Sequence, residues 1–257
     1  MRLKSKTALI TGGTSGMGRA AAELFAEEGC KVIIAGRRRK IGTQIADNIK
    51  KNGGEAVFFT ADVSEKDQVK ELVRSSIDTY KKIDILFNNA GINRHDNGGP
   101  HTEGEDTFDE VIGVNLKGAF LCTKYVVPIM MENKGGSIIN NSSVLDSKVT
   151  RGSTTSYHVS KGGLAMLSKK TAIEYARYNI RANTIQPGAI ATEMSGITWE
   201  ELDDSDVINR RKKMQPLKRM GHPMDVAYAA LYLASDEAAF VTGASILVDG
   251  GTSALYA

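Results

Sequence analysis

Cysteine is nearly missing: Cys30 and Cys122 are the only two in 257 residues. Two thiols cannot build a disulfide framework or supply a four-ligand structural metal site. Long apolar stretches are lacking too. No unbroken apolar run approaches the ~18–20 residues that span a bilayer. The opening Met-Arg-Leu-Lys-Ser-Lys leads straight into Thr7-Ala-Leu-Ile-Thr, with no apolar signal core of roughly 7–15 residues before it. Secretion is therefore disfavoured, and residence in the cytoplasm is expected. An excess of one charge is absent as well: 33 basic against 30 acidic residues leave +3. No basic stripe interleaves with aromatics, so neither nucleic acid nor a membrane is an expected partner. Internal repeats, low-complexity tracts and Pro/Gly/Ser-rich linkers are missing, which favours one domain over residues 1–257.

What is present is an ordinary globular composition, 41% apolar and 25% charged, which sets disorder and collagen-like rods aside. Candidate strands are Thr7–Thr11, Lys31–Ala35, Ala56–Thr60, Ile83–Phe87, Ser137–Asn141, Arg181–Ile185 and Ser245–Val248. Between them lie stretches with a 3.6-residue period, such as Arg19–Glu28, Gln68–Tyr80 and Tyr157–Tyr178. This alternation predicts an α/β fold: a parallel sheet of about seven strands with helices on both faces. Such sheets bind ligands beyond the carboxyl ends of their strands, so the residues after each strand carry the functional question.

After the first strand comes Thr11-Gly12-Gly13-Thr14-Ser15-Gly16-Met17-Gly18, and a helix follows. Glycine permits a sharp turn and a close backbone approach. The helix start offers unpaired N–H groups to a pyrophosphate. Gly12, Thr14, Ser15, Gly16, Met17 and Gly18 are thus candidate cofactor contacts; the plainer alternative is a glycine-rich turn that binds nothing. After the second strand, where an acidic residue would hold the ribose of NAD, the sequence reads Ala35-Gly36-Arg37-Arg38-Arg39-Lys40. No carboxylate is there. An arginine fork suits a 2′-phosphate, so NADP(H) is expected over NAD(H), with NAD(H) still possible. Arg37 and Arg38 are the choice for the phosphate, while Arg39 and Lys40 read as a solvated helix start.

Asp62-Val63 follows the third strand. Asp62 either accepts from an adenine amine or caps the helix beginning near Ser64. Asn88-Asn89-Ala90-Gly91 follows the fourth. Its small residues suit a flat adenosine, its Asn side chains suit tying strand ends together, and an ordinary turn is the alternative.

Tyr157 and Lys161 lie four apart, on one face of a helix. An ammonium ~5 Å from a phenol, at an effective dielectric of ~20, favours the phenolate by about 3 kcal/mol, roughly two pK units below ~10. The phenol then becomes an acid or base of use near neutral pH. Thr154-Thr155-Ser156 supply caps, and Ser142-Ser143 follow the strand Ser137–Asn141, bringing a hydroxyl to the same sheet edge.

At this point the chain resembles the short-chain dehydrogenase/reductase family over nearly its whole length. The matching segments, in order, are Thr11-Gly12 with Gly16-Met17-Gly18, Asp62-Val63, Asn88-Asn89-Ala90-Gly91, Asn115, Ser142-Ser143, Tyr157 with Lys161, Pro187-Gly188 with Thr192, and Val248-Asp249-Gly250-Gly251. The resemblance implies a doubly wound, Rossmann-like domain. It implies that Tyr157 exchanges a proton with the substrate oxygen and that Ser143 hydrogen-bonds that oxygen. Lys161 would lower the phenol pKa and hold the nicotinamide ribose, and Asn115 would support a water relay to Lys161. Pro187, Gly188, Ile190 and Thr192 would face the nicotinamide end of the cofactor. It further implies a homotetramer, with a homodimer as the alternative, built on the segments around Leu116–Glu132 and Tyr157–Tyr178. Bland readings stand beside these: Asn115 as a polar residue at a helix break, Ser142 in place of Ser143, Lys161 as a surface lysine. His158 reads as a bystander and Asp249 as a turn residue, and no catalytic metal is expected.

A lid is expected at about 190–215, with Met194, Ile197, Trp199 and Leu202, then Asp203-Asp204-Ser205-Asp206. Trp199 either covers a substrate or packs the lid onto its own domain or a neighbouring subunit. A second wall is Asn93–Asp106, with His95 and His101. The expected reaction joins a nicotinamide cofactor to a ketone or secondary alcohol. The substrate is either a small or steroid-like compound or a 3-oxoacyl thioester on an acidic carrier, for which Lys134 and Arg177 are candidate docking cations. The alternative is a dinucleotide-binding sensor or scaffold without chemistry.

Overall fold

Runs of Val, Ile, Leu and Ala at the expected places form seven strands: β1 (Thr7–Thr11), β2 (Lys31–Gly36), β3 (Glu55–Thr60), β4 (Ile85–Asn88), β5 (Gly136–Asn141), β6 (Ile180–Pro187) and β7 (Ser245–Val248). The computed structural model describes residues 1–94, 99–200, 202, 209, 212–213 and 215–255. The strands form one sheet in the order β3-β2-β1-β4-β5-β6-β7, and every neighbouring pair is parallel. The chain runs outward through β1, β2 and β3, then crosses back to lay β4 against β1. That reversal opens a crevice beyond the carboxyl ends of β1 and β4.

One predicted strand begins later than its sequence suggests, at Ile85 rather than Ile83. Asp84 is used instead as a clasp. Its carboxylate accepts from the Thr7 N–H at 2.7 Å, and its carbonyl accepts from the Ser137 N–H at 2.9 Å.

The helices that cover the sheet include α1 (Gly16–Glu27), α2 (Arg39–Lys51), α3 (Lys66–Tyr80), α4 (Glu105–Ile112), α5 (Gly118–Glu132), α6 (Thr155–Tyr175) and α7 (Pro223–Ala234). Successive strand residues point to opposite faces, so both faces need an apolar cover. Ile10 and Ile34 join α1, α2 and α7 through Phe25, Ile45 and Leu231. Leu9 and Ile33, one residue earlier, join α3, α5 and α6 through Leu72, Val126 and Ala172. A single-turn widening, Gly113–Lys117, separates α4 from α5 and carries the fully buried Asn115. Among the described residues no helix is long and apolar enough to cross a membrane.

Candidate active site

The glycine loop is shaped by contacts that leave no room for side chains. Gly12 has φ +64°, and a β-carbon there would lie 2.8 Å from Ala90 Cα. Gly16 has φ +49°, and its β-carbon would meet Thr192 Cγ2 at 3.0 Å. Three strand ends are then laced together. Thr11 Oγ1 accepts from the N–H groups of Asn89 and Ala90, both at 3.1 Å. Asn89 Nδ2 donates to the Thr11 and Gly12 carbonyls at 3.1 Å, and Asn89 Oδ1 accepts from Asn141 Nδ2 at 2.9 Å. Asn88, fully turned inward, donates to Asn140 Oδ1 at 2.8 Å.

A cleft of about 490 Å³ results, within the range of small-molecule sites. Its walls include the predicted Gly12, Thr14, Ser15, Gly16, Met17, Arg37, Arg38, Asp62, Val63, Asn89, Ala90, Gly91 and Thr192. They also include Gly36, Ala61, Ile92, Asn93, Arg94, Val114, Glu193 and Met194, which the sequence reading does not single out as cofactor contacts. Six predicted contacts are not part of that lining: Tyr157 and Lys161 are buried behind it, and packing explains the other four, Gly18, Pro187, Gly188 and Ile190. A β-carbon on Gly18 would lie 2.4 Å from both Asn89 Nδ2 and the Gly12 carbonyl oxygen, so this glycine seats α1 on the loop. On Gly188 it would meet Asp249 Cα at 2.8 Å. Pro187 ends β6 opposite Val248. Ile190 is buried in the core and abuts Gly221.

At the end of β2, Arg38 reaches across the cleft. Its Nε and Nη2 lie 3.2 and 3.1 Å from Thr14 Oγ1, and its Nη1 lies 2.7 Å from Glu193 Oε2. Arg37 is more exposed, with Nη1 3.6 Å from Asp62 Oδ2. Asp62 does two things: its Oδ1 accepts from Ser64 N–H at 3.0 Å and Ser64 Oγ at 2.7 Å, while the residue also lines the cleft. Arg39 and Lys40 are exposed at the start of α2.

Behind Gly91 lies a buried polar cluster. A β-carbon on Gly91 would sit 3.3 Å from Asn115 Oδ1 and 3.6 Å from Lys161 Nζ. Thr154 caps α6, its Oγ1 accepting from Tyr157 N–H at 3.3 Å, which sets Tyr157 in the first turn. The side chains of Tyr157 and Ser143 are hydrogen-bonded. Ser142 turns away and donates to the Lys161 carbonyl at 2.9 Å, so of the two serines it is Ser143 that meets the phenol. Lys161 is buried too. Its Nζ donates to the Asn141 carbonyl at 2.7 Å and lies 5.5 Å from the centre of the Tyr157 ring. Asn115 accepts from Ile92 N–H at 2.7 Å and donates to the Ile92 carbonyl at 2.9 Å and Ser160 Oγ at 3.1 Å. It therefore fastens the segment after β4 to α6.

The electrostatics correct one expectation. Burial pushes the Tyr157 phenol up to about 12, against a smaller pull downward from the Ser143 hydrogen bond. Burial also draws Lys161 down to about 8, with Asp146 opposing. The phenol's shift is thus opposite in direction to the predicted two-unit drop. Desolvation of a phenolate outweighs an ammonium whose proton is already aimed at a carbonyl.

The remaining candidates resolve locally. His158 Nδ1 pairs with the Thr154 carbonyl at 2.8 Å and its Nε2 accepts from Thr150 N–H at 3.2 Å, so it braces a loop. Asp249 accepts from the N–H groups of Gly251 and Ser253 at 3.0 and 2.7 Å, as a turn residue does. Trp199 stacks edge-on against His222 of its own chain, centroids 4.4 Å apart. In the expected lid and second wall, Asp203, Asp204, Ser205, Asp206 and His95 lie outside the described residues. Lys134 and Arg177 are misplaced for docking at the cleft mouth. Each lies between a helix and the start of the next strand, β5 and β6 respectively, at the opposite edge of the sheet. Among the described residues no cluster of three or more His, Cys, Asp or Glu is arranged to hold a metal ion.

A doubly wound parallel sheet with such a cleft at its switch point defines a nucleotide-binding α/β protein. A family model described as enoyl-(acyl carrier protein) reductase matches residues 12–253. An uncharacterized oxidoreductase of Bacillus subtilis (strain 168) is 43% identical over 257 residues, spanning 98% of this chain and 93% of that one. The 3-oxoacyl-(acyl-carrier-protein) reductase of Thermotoga maritima is 40% identical over 251 residues, spanning 98% and 99%. The structure of a gluconate 5-dehydrogenase from Burkholderia cenocepacia J2315, in complex with NADP and tartrate, matches with a TM-score of 0.91 and 32% identity over 99% of this chain and 98% of that one. The chain belongs to the short-chain dehydrogenase/reductase family and is an oxidoreductase.

Proposed function

We propose that this chain transfers a hydride between NADP(H) and a ketone or secondary alcohol, with Tyr157 exchanging the proton. The observation that carries the reading is the buried Ser143–Tyr157–Lys161 cluster set directly behind the glycine wall of the cleft. The residues present fit a dinucleotide. Gly12 and Gly16 form a cradle that side chains would fill, and Arg37 and Arg38 stand where a carboxylate would reject a 2′-phosphate. The bound nicotinamide would supply or accept the hydride.

The chain's own residues supply the rest. A phenol pushed up to about 12 keeps its proton through neutral pH. That is the form needed to donate to a carbonyl oxygen as it gains negative charge. Ser143 Oγ, fixed by the Leu145 N–H at 3.1 Å, steadies the same oxygen. Lys161, mostly charged at pH 7 with a pKa of about 8, holds positive charge beside the phenol. Asn115 keeps Ile92, a cleft residue, in register with α6.

For the substrate we favour a free, compact ketone or alcohol over a carrier-borne thioester, because Lys134 and Arg177 sit at the far edge of the sheet. Exposed Phe120 on α5 with Met166 and Ile173 on α6 supports assembly through those two helices. Cys30 and Cys122 are free and buried, as suits the reducing cytoplasm. A panel of ketones and alcohols, followed at the reduced-cofactor absorbance with NADP(H) and NAD(H), tests the reading. Turnover with neither cofactor on any member would sink it.

A further inference from the structure

The cleft presents a carboxylate to the very arginine assigned to an anion. One edge of the Arg38 guanidinium lies on Thr14 Oγ1 at 3.1 and 3.2 Å, and Nη1 lies 2.7 Å from Glu193 Oε2. Glu193 comes from the opposite wall, one residue past Thr192, as the first residue of the turn Glu193–Ser195. That turn is braced. Thr192 N–H donates to Ser195 Oγ at 3.1 Å, and Ser195 N–H donates to the Thr192 carbonyl at 2.9 Å. The carboxylate is therefore offered from an ordered base. Arg38, Thr14 and Glu193 all line the same cleft.

A 2′-phosphate and the Glu193 carboxylate are both anions that suit the planar fork of Arg38. Placed together on one guanidinium, they repel each other. Arg37 faces a weaker rival, because Asp62 Oδ2 is 3.6 Å away and Oδ1 is occupied by Ser64.

We infer that Glu193 is a specificity-determining residue of the cofactor site: its carboxylate competes with the cofactor 2′-phosphate for Arg38 and so tempers the preference for NADP(H) over NAD(H). The inference rests on the proposed phosphate role of Arg37 and Arg38. A cofactor without the phosphate leaves the Arg38–Glu193 bridge in place. One with it parts the bridge and unties the end of β2 from the segment after β6. Specificity here is a difference between two affinities, set partly by a group that opposes one of them.

Calorimetric titration of the full chain with NADP⁺, NAD⁺ and adenosine 2′,5′-bisphosphate tests this, on wild type, Glu193→Gln, Arg38→Gln and the double variant. Glu193→Gln is expected to tighten NADP⁺ and the bisphosphate about two- to fivefold, the scale of an exposed ion pair, with NAD⁺ changed by less than about 1.5-fold. The gain should vanish when Arg38→Gln is added. Weaker or unchanged NADP⁺ binding in Glu193→Gln, an equal change for NAD⁺, or a gain that survives without Arg38 overturns the inference. The parent reading is tested separately. If Arg38→Gln alone binds NADP⁺ as wild type does, the phosphate role of Arg38 fails. If Arg38→Gln weakens NADP⁺ while Glu193→Gln changes nothing, only the competition fails.

Discussion

The amino and carboxyl edges of the sheet, where its strands begin and end, treat polar side chains in opposite ways. At the amino edge, charges stay wet. Arg2–Glu237 and Lys6–Asp236 pair at 2.6 Å, and Lys31–Glu55 at 3.4 Å, each with at least one strongly exposed partner. Such pairs contribute little. At the carboxyl edge, Asn88, Asn115, Asn140, Ser142, Ser143, Tyr157 and Lys161 are all buried. A buried polar group without a partner is costly, so nearly every one is tied to a named neighbour. The proposed chemistry lies at the edge where the polar groups are buried. Exposed ions tune solubility, whereas buried dipoles fix the position of a phenol and an ammonium.

The largest effect that would sharpen the contrast is at Tyr157. Tyr157→Phe removes one oxygen and leaves the ring in its packing. Ketone reduction should fall about 10²–10⁴-fold, the usual range for a positioned acid, while NADP⁺ affinity by titration stays within a few-fold. Undiminished turnover would mean that the carboxyl edge works without its phenol.

Much of this was legible before any coordinates. The parallel sheet and the glycine loop follow from near-continuous apolar runs that alternate with helical periods and from glycines that open a helix. Tyr157 and Lys161 follow from a four-residue spacing. Spacing alone left Ser142 beside Ser143, and only the family resemblance favoured Ser143, because the choice depends on which way a bend after β5 turns each hydroxyl. The phenol's pKa was not legible. Spacing reports a neighbouring charge, but desolvation depends on everything packed around the ring. The place of Lys134 and Arg177, by contrast, was legible, since residues that precede a strand of a parallel sheet stand at its amino end, away from the crevice. Glu193 falls inside the expected lid at about 190–215 and carries no signal of its own there. The contact that singles it out is with Arg38, 155 positions away.

Next in size is Arg37→Asp. A carboxylate at the end of β2 would repel a 2′-phosphate and offer a partner to a ribose hydroxyl. The ratio of kcat/KM for NADP(H) to that for NAD(H) should drop at least about tenfold, the scale of losing one charge-assisted contact. Equal ratios before and after would remove the argument for a phosphate site there.

Lys161 sets function against stability. Its pKa falls from the ordinary 10.5 to about 8 because burial penalises the ammonium, a cost of about 3 kcal/mol at pH 7. Lys161→Met avoids that cost but forfeits the hydrogen bond to the Asn141 carbonyl, about 1 kcal/mol. The variant should therefore be inactive yet more stable by about 2 kcal/mol at pH 7 in denaturant titrations. The sign with pH follows from proton binding. Between pH 8 and 10.5 the unfolded wild-type chain holds a proton that the folded chain has released. Wild-type stability therefore climbs through that window, and the variant's advantage shrinks. An advantage constant from pH 7 to 10.5 would show that Lys161 carries no such burial cost.

The smallest expected effect tests the other edge. Lys134 sits in a left-handed turn after α5, with φ 59°, and Arg177 lies 5.0 Å over the Tyr178 ring just before β6. Neither approaches the cleft residues. The double variant Lys134→Gln, Arg177→Gln should leave kcat/KM for a free ketone within about twofold and stability within ~0.5 kcal/mol, as for surface changes away from special features. The same variant also speaks to substrate. If an acyl-carrier-bound ketone is turned over, and the double variant slows it tenfold while sparing the free ketone, a carrier docks at the amino edge after all. The edge would then serve recognition at a distance, through charges kept in water where a diffusing acidic partner meets them first. Equal rates on both substrates would leave chemistry and recognition together at the carboxyl edge, where a buried phenol and a buried ammonium already stand.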